Sequence, residues 1–214
     1  KYWMTAYNVD GFRFDLVKGL GTSYPSGTEA YNASRVAVMK DLHAAIKAVK
    51  PNGIHINENL AGDKEENEMA ADGQLNWANI NYNSCQFGMG YASGSNLERF
   101  LSTSDSRTAF STVAYAESHD EERVGYKQKA YGYGSVKEDQ YKRSRRLAQL
   151  AVQMLLTPGP KMIWQFGEFG ADQTTKNSDD SNNTDPKTVV WYYKDATDHV
   201  GIFEAYQAMC NLRR

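Results

Sequence analysis

The chain has 214 residues, a formal net charge of -2, and ordinary shares of apolar residues (41%) and charged residues (23%). These values predict a globular protein with one sizeable core and one or two domains. Lys and Arg are scattered, which argues against a nucleic-acid partner, and no apolar run is long enough to cross a bilayer. Cys85 and Cys210 lie far apart without CxxC spacing, so they indicate neither a zinc site nor a disulfide framework.

The first part of the chain has the pattern of a strand followed by a helix. Residues 9–16 alternate bulky side chains as in a short strand, and after a Gly- and Ser-rich stretch residues 35–49 carry apolar side chains at helical spacing. Four apolar residues share one stripe of this helix, which is expected to pack on a sheet: Val38, Leu42, Ile46 and Val49.

The same alternation repeats along the chain. Further strands are predicted at residues 53–57, 78–82, 112–117 and 161–166, and further helices at residues 65–71, 96–102, 138–156 and 200–214. Five strand-and-helix units predict a parallel sheet covered by helices, either an open doubly wound sheet or a (β/α)8 barrel. A complete barrel takes about 250 residues, so the five units predict only part of one.

Acidic residues stand at the carboxyl ends of three predicted strands, where parallel α/β folds place their active sites. Asp15 follows the first strand, Glu58 the second and Asp120 the fourth. Arg13 is expected to point to the same side of its strand as Asp15, because side chains alternate along a strand. A structural ion pair would explain one such pair, but three carboxylates at three strand ends indicate a site.

Two carboxylates on either side of a glycosidic bond are what retaining glycoside hydrolysis requires. One attacks the anomeric carbon, and the other protonates the departing oxygen and later activates water. Two neighbouring carboxylates also raise the pKa of one of them, which allows a Glu to hold a proton near neutral pH. The strand-end carboxylates therefore predict this chemistry, with Arg13 beside the nucleophile.

Several segments resemble the conserved regions of the α-amylase superfamily, glycoside hydrolase family 13. Residues 10–15 (DGFRFD) resemble its second region, and they are the most specific of these motifs. Other matching segments are spread along the chain, so that the resemblance extends over nearly its whole length: residues 55–60, residues 118–120, residues 158–168, and Asp185-Pro186 with Trp191. The resemblance implies a partial (β/α)8 barrel and a retaining hydrolase of α-1,4-glucosidic bonds in starch, glycogen or maltooligosaccharides.

The resemblance also implies roles for single residues. Asp15 would be the nucleophile, Glu58 the general acid/base, and Asp120 the third carboxylate, which grips ring hydroxyls. Three further residues would support the reaction or bind substrate: Arg13, His119 and Lys18. Four aromatic residues could stack on glucose rings, although most aromatic side chains in a barrel belong to its core: Trp77, Tyr82, Tyr91 and Trp164.

The chain departs from the family pattern at several points. Gly19 stands where a His usually follows the lysine, Ser118 stands where an Asn usually precedes the His, and the first conserved region has no match. The resemblance therefore implies that residues 1–214 are the C-terminal portion of the barrel, without its N-terminal units or the C-terminal β-domain. Most calcium ligands of the family belong to that missing part, so no metal or cofactor is expected here, although the full-length protein could bind calcium. The polar loop at residues 177–185 lacks the glycine and terminal Glu of an EF-hand.

Alternative functions stay open at this point. Residues 118–121 also resemble the fourth region of glycogen branching enzymes, which are transglycosylases. A noncatalytic α-glucan-binding protein is a second alternative, although retention of all three carboxylates argues against it. An isolated half barrel is expected to be inactive and could form a homodimer through its exposed strand edges. The compartment stays open, with an α-glucan substrate favouring a secreted or periplasmic one.

Overall fold

The computed structural model describes residues 1–20, 29–181, 183 and 185–214. Its strands are β1 (Gly11–Phe14), β2 (Ile54–Asn57), β3 (Leu75–Asn79), β4 (Thr112–Tyr115) and β5 (Lys161–Met162). Its helices are α1 (Tyr2–Ala6), α2 (Ala33–Lys47), α3 (Asp63–Ala71), α4 (Asn81–Met89), α5 (Val124–Tyr131), α6 (Ser135–Glu138), α7 (Gln140–Leu156) and α8 (Ile202–Leu212). Most of the Gly- and Ser-rich loop predicted after the first strand, and two residues of the predicted loop 177–185, lie outside the described residues.

The five strands form one parallel sheet in the order β1-β2-β3-β4-β5, which is also their order along the chain. Sequential parallel strands need crossover connections, and helices supply most of them here. The predicted α/β class with five strands is therefore confirmed. By contact density the chain forms two compact units, unit 1 (Lys1–Ala78 and Leu101–Val113) and unit 2 (Asn79–Phe100 and Ala114–Arg214).

Unit 1 is built on β1 and β2. These strands pair in parallel from Gly11 opposite Ile54 to Phe14 opposite Asn57, so the two strands end side by side. Gly11 is required by this pairing, because a Cβ at that position would overlap the Ile54 carbonyl oxygen. A small apolar core lies beneath the loops that follow the strands: Val17, Val36, Met39 and Met69, with Phe14 and Leu42 packed against them.

Helix α2 of unit 1 begins at an Asn cap, as the Asn32 side chain accepts a hydrogen bond from the Arg35 backbone N–H at 3.1 Å. The predicted apolar stripe of this helix is confirmed at Ile46, which is buried, and at Leu42, which packs against the core, but it is wrong at Val38, which is 47% exposed. The buried residues are Arg35, Val36, Met39, His43 and Ile46. Two polar side chains thus occupy the buried face, and a pattern of apolar residues alone does not reveal that face.

Unit 2 is built on α7, α8 and β5, which pairs with the last two residues of β4. The long helix predicted at residues 138–156 is confirmed as α7, which begins at the Asp139 cap and ends at Leu156 before Pro158. Buried residues recur along it at helical spacing, with Leu147, Leu150 and Met154 among them. The predicted strand and helix at the end of the chain are confirmed as β5 and α8, although β5 is only two residues long.

The middle of the chain differs from the prediction. The strand predicted at residues 78–82 is wrong, since β3 is Leu75–Asn79 and helix α4 begins at Asn81. The helix predicted at residues 96–102 is also wrong, because that stretch contains only the 3₁₀ turn Glu98–Phe100 and the start of another at Ser102. Helix α5 was not predicted. Helix α4, which was not predicted either, contains two Asn, a Tyr and a Gly, and α5 contains two Tyr and a Gly, all of them weak helix formers.

Candidate active site

Asp15 and Glu58 follow directly after the paired strands β1 and β2. The Glu58 backbone N–H donates to the Phe14 carbonyl oxygen at 2.9 Å, which extends the strand pairing by one residue to the acidic positions. The side chain of Asp15 is 69% exposed, whereas that of Glu58 is only 9% exposed. The two predicted catalytic carboxylates of unit 1 are therefore brought together, one facing solvent and the other withdrawn from it.

Arg13 joins the two carboxylates, as its predicted position on the same side of β1 requires. Its Nη1 donates a hydrogen bond to Asp15, and its Nη2 lies 2.8 Å from Glu58 Oε2. The second contact is an ion pair and not a hydrogen bond, because Nη2 is not aligned with an acceptor among the described residues. The guanidinium carbon of Arg13 lies 3.8 Å from the centre of the Trp77 ring, so a cation–π contact stabilises the position of the arginine.

The chain turns sharply after Asp15 and folds onto Glu58. Leu16 has a φ of 45°, in the left-handed region that L side chains rarely adopt. Its backbone N–H donates to Glu58 Oε2 at 2.8 Å, and the next N–H, that of Val17, donates to the Glu58 carbonyl oxygen at 2.9 Å. The strained turn thus fixes the loop that carries Asp15 to the backbone and side chain of Glu58.

The pKa of the Glu58 carboxyl is raised above its ordinary value. Burial is the main cause, and a hydrogen bond to Asp15 and the charge of Asp15 act in the same direction. The Leu16 N–H and the Arg13 guanidinium oppose the rise without cancelling it. A raised pKa is the direction that a general acid next to a nucleophile requires.

Unit 2 contains Asp120 and His119 at the end of β4. His119 Nε2 lies 3.4 Å from Asp120 Oδ1, and both side chains are about half exposed. The Asp120 backbone N–H donates to the Ser118 hydroxyl oxygen at 3.3 Å. The next residue, Glu121, accepts hydrogen bonds from Ser118 and from the Asn79 amide, and burial raises its pKa. Ser118, which replaces the usual Asn of the motif, therefore orders the turn that carries Asp120.

Glu117 is a buried carboxylate of unit 2 that was not among the predicted site residues. Its Oε2 lies 3.1 Å from Arg123 Nη1, and its Oε1 accepts from the Val124 backbone N–H at 2.7 Å. Arg123 also donates to the Gln165 carbonyl oxygen at 2.8 Å. Burial raises the pKa of Glu117. Because fixed protein groups bind both oxygens, Glu117 stabilises the end of β4.

The remaining predicted site residues have more modest environments. Lys18 Nζ lies 3.3 Å from Glu29 Oε1, and its carbonyl oxygen accepts from Arg35 Nη1 at 2.6 Å. Trp77 is buried against Arg13, so its ring supports the arginine. Tyr82 is 65% exposed and Tyr91 is 38% exposed, in a groove between α4 and α5 of unit 2.

No cluster of three or more His, Cys, Asp or Glu side chains that could hold a metal ion is present in residues 1–20, 29–181, 183 and 185–214. No helix in the described part of the chain is both long and apolar enough to cross a membrane.

Comparison with protein-family models and with curated protein sequences gives no match. Solved structures do match. The pullulanase from Anoxybacillus sp. LM18-11, complexed with maltotetraose, is 20% identical at a TM-score of 0.64, over 97% of this chain and 32% of that one. The multi-modular glycogen-degrading pneumococcal virulence factor SpuA, as a product complex, is 16% identical at a TM-score of 0.67, over 97% of this chain and 26% of that one. The pullulanase from Paenibacillus barengoltzii, in complex with maltohexaose and alpha-cyclodextrin, is 16% identical at a TM-score of 0.66, over 99% of this chain and 34% of that one.

These likenesses establish the fold. The chain has the α/β fold of part of a (β/α)8 barrel, as the sequence predicted, and it spans about a third or less of the length of these solved structures. The class of fold is thus shared with pullulanases and a glycogen-degrading enzyme.

Proposed function

We propose that the whole protein is a retaining glycoside hydrolase of α-glucans, with Asp15 as nucleophile and Glu58 as general acid/base. The observation that carries this proposal is the pair of carboxylates joined by Arg13, one exposed and the other buried with a raised pKa. Arg107 likewise joins an exposed Asp63 to a buried Glu66 on helix α3. What sets the pair at Arg13 apart is its place directly after the paired strands β1 and β2, where parallel α/β folds hold their active sites.

The reaction would proceed in two balanced steps. Asp15 attacks the anomeric carbon, the bond to the glycosidic oxygen breaks with its electron pair on that oxygen, and Glu58 gives this oxygen its proton. Glu58, now ionised, takes a proton from a water molecule, whose oxygen attacks the anomeric carbon and releases Asp15. We assign Asp120 to the gripping of ring hydroxyls, and Arg13, His119 and Lys18 to support of the carboxylates and substrate, from the matching motifs.

The proposed substrates are starch, glycogen and maltooligosaccharides, through their α-1,4 bonds. The likeness to pullulanases and to a glycogen-degrading enzyme supports α-glucan as the class and adds pullulan as a substrate to test. We further propose that the chain is the C-terminal portion of the catalytic barrel and that the isolated 214 residues are inactive, with a homodimer through exposed strand edges as their alternative assembly.

A transglycosylase is the second candidate, because residues 118–121 match the fourth region of branching enzymes and Glu121 is ordered beside Asp120. Product analysis on amylose separates the two reactions. New reducing ends without new α-1,6 branches indicate hydrolysis, whereas branches formed at a constant number of reducing ends indicate transfer.

The decisive experiment replaces the nucleophile in the whole protein. Asp15→Asn is expected to lower kcat on amylose and pullulan by at least about 10³-fold, because the amide cannot attack the anomeric carbon. The matched control is Asp10→Asn in the same motif, whose side chain is exposed and pairs with Lys50. Its kcat should change by less than about threefold, as expected for a surface ion pair. Unchanged hydrolysis by Asp15→Asn would remove the proposal.

A further inference from the structure

A second ion pair in unit 1 is far more buried than the candidate site. Arg35 on α2 and Glu65 on α3 are almost completely inaccessible to solvent. The Arg35 Nε lies 2.6 Å from Glu65 Oε1, and Nη2 lies 2.7 Å from Oε2, so the two planar groups form a bidentate pair. A buried ion pair is on average no more stabilising than apolar side chains of the same volume. Its remaining hydrogen bonds are therefore the more informative feature.

The remaining donors of Arg35 hold the loop that follows Asp15. Nη1 donates to the Lys18 carbonyl oxygen at 2.6 Å, and Nη2 donates to the Ala30 carbonyl oxygen at 2.9 Å. Lys18 lies three residues beyond Asp15, and Ala30 lies near the far end of the same loop, just before α2. One guanidinium group thus joins the two ends of the loop that begins at the candidate nucleophile.

Each carboxylate oxygen of Glu65 also accepts one further hydrogen bond. Its Oε2 accepts from the Asn32 backbone N–H at 2.8 Å, which secures the start of α2. Its Oε1 accepts from the Asn59 side-chain amide at 2.9 Å. Asn59 is fully buried and directly follows Glu58. The carboxylate thereby connects the backbone next to the candidate acid/base to the arginine that holds the loop of the nucleophile.

We propose that the buried Arg35–Glu65 pair is a positioning pair, which fixes the loop after Asp15 relative to the residue after Glu58 through Lys18 and Asn59. Neither partner touches the candidate carboxylates, so the pair acts through backbone position. This inference rests on the proposed function, because the property it preserves is the alignment of acid and nucleophile. A displacement of about 1 Å at such a site costs up to about 10²-fold in rate.

The experiment uses two substrates that differ in their need for acid catalysis. A maltooligosaccharide has a leaving group that must be protonated, whereas the dinitrophenyl group of a dinitrophenyl α-maltoside departs without a proton. Arg35→Lys keeps the charge but cannot reproduce the fork to Lys18 and Ala30. It should lower kcat/KM per folded molecule by about 10-fold or more for both substrates, because the nucleophile attacks in both reactions. Asn59→Ala cuts only the link to the residue after Glu58, so it should lower kcat/KM by about 10-fold or more for the maltooligosaccharide and by less than about threefold for the aryl substrate.

The matched control is Arg143→Lys in unit 2. Arg143 is another buried arginine that donates to backbone carbonyl oxygens, those of Val136 and Lys137, and neither adjoins a candidate catalytic residue. Its ratio of the two kcat/KM values should match that of the wild type. Equal losses on both substrates in Asn59→Ala, or a kcat/KM per folded molecule in Arg35→Lys within about threefold of the wild type, would overturn the positioning role. If Arg35→Lys does not fold, Asn59→Ala alone decides. A wild-type protein inert on both substrates would instead overturn the proposed function.

Discussion

The ends of β2 and β4 both place a glutamate after a buried strand, yet the two carboxylates have different surroundings. Glu117 in unit 2 has its own arginine, Arg123, and both of its oxygens contact fixed protein donors. Glu58 in unit 1 shares Arg13 with a second carboxylate, Asp15. Burial raises the pKa of both glutamates. A raised pKa alone therefore does not distinguish an acid/base group from a structural one. A shared arginine does so only together with position, because Arg107 also joins Asp63 to the buried Glu66 on helix α3, away from the strand ends.

The largest effect expected from this comparison is on stability in unit 2. Glu117→Gln removes the charge opposite Arg123 and leaves a buried guanidinium group unpaired, which should cost about 3 kcal/mol or more of unfolding free energy. Glu58→Gln in unit 1 should cost about 1 kcal/mol or less, because Arg13 keeps its contact with Asp15 and a buried carboxyl is replaced by an amide. Urea unfolding of the whole protein measures both.

Hydrogen exchange assigns these losses to one unit. Amide protection should fall around β4 in Glu117→Gln and stay near the wild-type level around β1 and β2. Equal losses of unfolding free energy in the two variants would contradict the distinction between a structural and a catalytic glutamate.

An effect of intermediate size is expected on the pH dependence of the unfolding free energy, and its source is a buried histidine of unit 1. His55 in unit 1 is buried, and burial lowers its pKa from 6.5 to about 4. Its Nε2 lies 2.8 Å from Asn57 Oδ1, while Nδ1 has no hydrogen-bond partner among the described residues, so a second proton would be a buried, unpaired charge. Burial also lowers the pKa of the neighbouring His43.

The direction in which the unfolding free energy changes with pH follows from proton binding by the folded and unfolded chains. Between pH 6.5 and about 4 the unfolded chain binds protons that folded His55 does not, so the stabilising effect of neutral His55 is complete above pH 6.5 and is lost as the pH falls through that window. Between pH 6.5 and pH 5 the loss should be about 2 kcal/mol. Denaturant unfolding at the two pH values measures it. The same pH dependence in His55→Gln as in the wild type would show that His55 is not its source.

The sequence predicted the elements whose signal is local. Helix α7 has apolar residues at regular helical spacing between an Asp cap and a Pro stop, and β1 and β2 alternate bulky apolar residues with other residues, so these elements were found. Strand β3 was misplaced, since Asn76 lies within it and is buried, and its side chain donates to the Glu66 carbonyl oxygen. A buried amide satisfied by a distant backbone group has no signature in a short window of sequence.

The candidate site likewise contains contacts that the sequence predicts and contacts that it does not predict. The contact between Arg13 and Asp15 follows from alternation along one strand, and the sequence predicted it. The Arg35–Glu65 pair could not be predicted, because its partners lie 30 residues apart and charged helix residues usually face solvent. The roles assigned to Asp15, Glu58 and Asp120 stay predictions until the variants are measured.

The smallest effect concerns the left-handed turns after Asp15 in unit 1 and in the polar loop of unit 2. Leu16 is 56% exposed with a φ of 45°, and Asp180 is exposed with a φ of 66°. Glycine at position 16 relieves the contact between Cβ and backbone and keeps the N–H bond to Glu58, so Leu16→Gly should raise the unfolding free energy by up to about 1 kcal/mol. Asp180→Gly should raise the unfolding free energy by only about 0.3 kcal/mol, because Asp tolerates this conformation. Thermal unfolding of both variants tests the difference. An equal gain at both positions would mean that the turn beside the candidate nucleophile stores no more strain than an ordinary surface turn.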